Sequence, residues 1–144
     1  MGFKNRKQAL GAGETTAARG KAVDATERIR FITHRGKQIL FVDLSYCSPA
    51  EPEETVHRVP DVVTAQPPGS LLLLADFTQA SFSKEAIRTM KENAVFDKAF
   101  IKKTAWIGTE SLPASFHSDI SKYSRREFPT FRTRNEALEW LTQE

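Results

Sequence analysis

From residue 30 onward, short unbroken apolar runs alternate with stretches where apolar residues recur every three or four positions. The first kind of segment reads as buried strand and the second as amphipathic helix. Arg30-Phe-Ile-Thr-His34 and Gln38-Ile-Leu-Phe-Val-Asp-Leu44 are two strands joined by a tight Arg35-Gly36 connection, which predicts an antiparallel hairpin. Leu71 to Leu74 has no polar alternation; a strand apolar on both sides is covered on both sides, so it is expected at the centre of a sheet. Lys103-Thr-Ala-Trp-Ile-Gly108 supplies a fourth strand. Phe128 to Phe131 supplies a short fifth, and Pro129 favours an edge position for it.

Four helices are expected between and after these strands. Ser48-Pro49-Ala50-Glu51 reads as a capping box, with Val56, Val59 and Val63 forming a stripe to about Gln66, and Pro60 is expected to kink or divide that helix. Ser83 caps a second helix with Ala86, Ile87, Met90, Ala94 and Phe96 facing inward. A third helix is expected over 111–126, with Phe116 and Ile120 buried. Thr133-Arg-Asn-Glu136 opens a terminal helix that packs Ala137, Leu138 and Leu141. Strands alternating with helices predict an α/β fold: a mostly parallel sheet of about five strands, an N-terminal antiparallel hairpin and about four helices. Ligands and partners of such sheets gather at the carboxyl ends of the strands. No internal repeat emerges.

Residues 1–28 hold almost no large apolar side chains and are expected as a disordered basic tail, with 29–144 as the folded domain. Charge sharpens this division. Residues 1–29 carry six Lys/Arg against three acids, a net +3 that accounts for the whole chain's charge, so residues 30–144 are balanced at fifteen of each. A balanced domain lacks the basic face of a nucleic-acid binder, and no nucleic-acid partner is expected. The longest aliphatic run, Leu71 to Ala75, is far too short to span a bilayer. A lone cysteine, Cys47, and no apolar leader fit the cytoplasm.

The chain holds no phosphate loop, nucleophile elbow, Cys-x-x-Cys or His-Glu-x-x-His, so no cofactor or metal is expected and a non-enzymatic role is favoured. His34, His57 and His117 show no ligand spacing and are read as surface or internally satisfied residues. Asp43 and Asp76 both fall at carboxyl ends of strands; if those strands are neighbours, they form a strand-end polar site suited to acid–base chemistry or a metal, and the commoner alternative is that each caps a loop or helix N–H. Trp106 and Trp140 are assigned to packing. Phe77, Phe82, Phe96, Phe100 and Phe116 form either a Phe-rich core or the wall of an apolar pocket.

Thr33-His-Arg-Gly-Lys37, the apolar strand ending in Asp43, Leu-Leu-Leu-Leu-Ala-Asp76, Ala105-Trp-Ile-Gly108 and the closing Glu136-Ala-Leu-Glu-Trp-Leu141 occur in an order that resembles the SpoIIAA-like family. That family is grouped with STAS (anti-sigma-factor antagonist) domains and the lipid-binding lobe of Sec14-type proteins. The resemblance implies the fold described above and a regulatory or protein-binding module. STAS antagonists carry a phosphorylatable Ser in an Asp-Ser-Ser/Thr-Gly run after a central strand. The corresponding place is Asp76-Phe-Thr-Gln-Ala-Ser-Phe-Ser83, where the Ser-Gly pair is absent and Thr78, Ser81 and Ser83 are the available hydroxyls. Ser81 and Ser83 stand at the amino end of a predicted helix, where a phosphate is stabilised by the helix dipole. The expected partner is therefore a protein docking around residues 76–90 of a monomer or weak dimer. The alternative is a carrier or sensor of a small apolar, lipid-like ligand, which requires a Phe-lined cavity of a few hundred Å³.

Overall fold

Five strands form one sheet in the order β1-β2-β3-β4-β5: β1 Ile29–His34, β2 Lys37–Asp43, β3 Leu71–Asp76, β4 Ile101–Ile107 and β5 Thr130–Phe131. β1 runs antiparallel to β2 and every other neighbouring pair is parallel. The computed structural model describes residues 25–48 and 52–143. The expected tail therefore lies outside the described residues up to residue 24, as do residues 49–51 of the capping box. The described fold begins earlier than residue 29, with a single helical turn, α1 (Ala25–Arg28).

β3 is central and its first five residues are all buried, as an apolar run without alternation requires. Its odd and even positions feed two separate cores. Leu72 and Leu74, with Ile39, Phe41, Ala105 and Ile107, pack against Ala137, Leu138 and Leu141 of the terminal helix α5 (Arg134–Thr142). Leu71, Leu73 and Ala75, with Leu40, Val42 and Trp106, face α2 (Pro52–Val63), α3 (Lys84–Phe96) and α4 (Phe116–Ser124). β5 pairs only with β4, so Pro129 precedes an edge strand, and its carbonyl accepts from Trp106 N at 2.9 Å.

The helix starts follow their caps. Ser83 Oγ accepts from Ala86 N at 3.0 Å and Thr133 Oγ1 accepts from Glu136 N at 3.1 Å. Three expectations are corrected. α2 runs unbroken through Pro60. A proline there frees the carbonyl four residues back, and Asn93 of α3 donates its Nδ2 to that Val56 oxygen at 2.8 Å, so the lost bond is replaced from outside the helix. The third long helix begins at Phe116 rather than 111, because Leu112, preceding Pro113, is extended at φ −85°, ψ 154°. Phe96, expected inward, is 61% exposed at the end of α3.

Candidate functional site

The carboxyl edge of the sheet is where function is expected, and there β2 and β3 end in register. Asp43 and Asp76 are paired neighbours on adjacent parallel strands, so their side chains share one face. The strand-end polar residues are thus brought together as the sequence suggested. Their chemistry is already committed locally. Ser45 donates to Asp43 Oδ1 from its N–H at 3.0 Å and its hydroxyl at 2.5 Å. Thr78 does the same to Asp76 Oδ1, at 2.9 and 2.6 Å. Each carboxylate pins its own loop, as Asx turns do.

The two loops are copies of one another. Asp43-Leu-Ser-Tyr-Cys-Ser48 and Asp76-Phe-Thr-Gln-Ala-Ser81 share the order acid, buried apolar, hydroxyl, x, small buried, Ser. Tyr46 and Gln79, at equivalent positions, are both left-handed at φ 58° and 51°. Backbone bonds zip the copies together: Leu44 N to Asp76 O at 2.9 Å, Tyr46 N to Thr78 O at 2.7 Å and Ser81 N to Cys47 O at 3.1 Å. This six-residue correspondence was visible in the sequence, though too short to register as an internal repeat.

Gly108 closes the third side. It is left-handed at φ 71°, and a Cβ there would sit 2.5 Å from Thr78 N and 2.8 Å from its Cα. Only glycine lets β4 turn so close beneath the second loop. Arg28 pins the first loop from below. It is buried and donates Nη1 to the carbonyls of Asp43 at 2.9 Å and Ser45 at 3.0 Å. Sequence reading placed Arg28 in the charged tail and missed this role.

The three candidate hydroxyls differ sharply. That of Thr78 is bound to Asp76, and that of Ser83 caps α3. Ser81 is exposed on the loop between them. From Lys84 onward, α3 and α4 border a surface groove lined by Lys84, Ile87, Arg88, Lys91, Glu92 and Tyr123. Its rim is mainly basic. Arg88 pairs with Glu85, and Lys91 Nζ lies 6.0 Å from the centre of the exposed Tyr123 ring.

Three residues of the Phe-rich segment, Phe77, Phe82 and Phe116, form a packed cluster under the second loop, whereas Phe96 is exposed. Phe77 contacts Phe82, Trp106 and Phe116 edge-on at 5.8, 4.9 and 5.6 Å, and Trp106 stacks on Phe128 at 4.6 Å. Deeper between the sheet and α2, α3 and α4 lies a cavity of about 100 Å³, well under the size of a lipid-like ligand's site. Asp97, immediately after α3, lines it. Burial pushes its carboxyl up to about 6, although the Arg126 charge opposes the shift. Arg126 in turn is pushed down by burial and donates to Ala94 O at 3.0 Å and Thr104 Oγ1 at 2.7 Å.

The remaining candidates are engaged by neighbouring groups or buried. His34 Nε2 meets Glu139 Oε2 at 2.9 Å, and Arg35 and His34 together hold that carboxyl below its ordinary range. His117 Nε2 lies 2.7 Å from Phe128 O. Cys47 is buried. Among the described residues no cluster of His, Cys, Asp or Glu could hold a metal, and no helix is long and apolar enough to cross a membrane.

This architecture, an antiparallel edge hairpin on an otherwise parallel five-stranded sheet with helices on both sides, defines a SpoIIAA-like fold. The chain is similar in structure to an uncharacterized protein of the DUF3478 family with a SpoIIAA-like fold from Shewanella loihica PV-4. The similarity covers 78% of this chain and 91% of that one, with a TM-score of 0.58 and 19% sequence identity. No protein-family model matches the chain, and no curated protein matches it in sequence.

Proposed function

We propose that the chain is a non-enzymatic docking module of the STAS type, receiving a protein partner on the loop after β3 and on α3. What carries the reading is Ser81. It is exposed between the left-handed Gln79 and the capping Ser83, three residues ahead of Lys84, which lines the α3–α4 groove. The locked backbone around it presents one conformation to a partner and lowers the ordering cost of binding. The basic rim of Lys84, Arg88 and Lys91 fits an acidic amphipathic segment. A phosphate on Ser81 would stand just ahead of a 13-residue helix, where the dipole and Lys84 favour negative charge and where it would repel an acidic partner. The strand-end carboxylates serve as struts for this surface.

Site-directed photo-crosslinking in the native host tests the reading. A photoreactive residue at Gln79 or Arg88 should give one discrete adduct, and the same residue at the exposed Asn135, on α5 across the sheet, should not. The adducted protein, purified, should then bind the unmodified chain. Equal adduct patterns from all three positions would reject the module.

A further inference from the structure

The cavity between the sheet and α2, α3 and α4 has a composition that a packing defect does not explain. Its walls are mainly apolar, including Val59, Leu73, Ala75, Trp106 and Ile120. It is a partly open pocket rather than a sealed void, and an apolar wall of that kind offers water few partners. At one end, however, stands Asp97, only 3% exposed, and its buried Oδ1 has no hydrogen-bond partner among the described residues. A buried acceptor left unpaired is costly and uncommon, and it calls for an occupant that donates to it.

We propose that this cavity is a binding site for a small neutral molecule with an apolar body and one hydrogen-bond donor, the donor meeting Asp97 Oδ1. Two observations set the chemistry. Size comes from the volume of about 100 Å³. An apolar cavity of about 150 Å³ accommodates benzene, so about four non-hydrogen atoms fit here. Charge comes from the walls. Arg126 lines the same cavity as Asp97, so a cationic ligand would face the guanidinium and an anionic one the carboxylate. A neutral hydroxyl satisfies Oδ1 without adding charge to a poorly solvated space. The inference is independent of docking at the carboxyl edge, because Asp97 follows the carboxyl end of α3, whereas Ser81 precedes its amino end.

The probes are 2-propanol and acetone. They are nearly equal in size, but only the first donates a hydrogen bond. Titrated into the full chain at pH 7.5 and followed by amide and indole NMR signals, 2-propanol should give saturable shifts at Ala94, Asp97, Thr104 and Trp106. Acetone should bind at least fivefold more weakly. Asp97→Ala, which removes the acceptor, should abolish the preference, and the wild-type ratio alone remains decisive if that variant folds poorly. Linear, non-saturating responses to both probes, or equal affinities for them, would overturn the proposal. So would crystals soaked in 2-propanol that show only ordered waters at Asp97.

Discussion

Two carboxylate regions of this molecule contrast. At the carboxyl edge, the half-buried Asp43 and Asp76 sit side by side in a position that invites a catalytic reading, yet each spends an oxygen on two donors from its own loop. In the interior, the single Asp97 attracts no attention in the sequence, yet it keeps a buried oxygen without a partner among the described residues. Proximity of acids is therefore a poor guide to function here. The edge pair builds a rigid surface, and the buried acid marks an interior left incomplete by the protein's own atoms.

The sharpest way to break the contrast is to loosen the edge. Gly108→Ala places a Cβ against the Thr78 backbone at a left-handed position, and it should cost about 3 kcal/mol or more in chemical denaturation. A loss under about 1 kcal/mol would mean that the loops are not locked. Asp76→Ala should come next, at about 2 kcal/mol, because it strands the Thr78 N–H and hydroxyl.

Asp97→Asn should act in the opposite direction. The folded-state value of about 6 lies above the ordinary 3.8, so folding favours the protonated acid. No penalty exists below about pH 4, it grows as pH rises, and it is fully present above about 6. The variant should thus be more stable than wild type by about 1–2 kcal/mol at pH 7.5, with the gain fading toward pH 4. Taking the difference between variant and wild type cancels the opposing contribution of Glu139, whose depressed value loses stability as pH falls. A gain independent of pH would contradict the assignment to charge burial.

The strands were legible because unbroken apolar runs leave few alternatives, and β3 declared its central place by having no polar side. Ser83 and Thr133 declared their helix starts in the same way. What stayed hidden depended on contacts distant in sequence. Pro60 looked like a break because Asn93, 33 residues later, was not known to supply the missing bond. Arg28 looked like tail because its acceptors lie at residues 43 and 45. Asp97 did leave a trace: it continues the helical spacing of Ala86, Met90 and Ala94, an acid on an apolar stripe. Following that stripe past Ala94 would have found Asp97 and left Phe96 outside. The candidate hydroxyls were legible as a group and Ser83 as a cap, but the local bond that engages Thr78 with Asp76, and so sets it apart from the exposed Ser81, was not read from the sequence.

The central claim, that the loop after β3 is the docking surface, is tested most directly by titration calorimetry of the crosslinked partner against wild type and Ser81→Asp. The exposed substitution should change stability by less than about 0.5 kcal/mol. Partner affinity should fall at least tenfold. Affinity unchanged within twofold, in a variant that remains folded, would contradict the account.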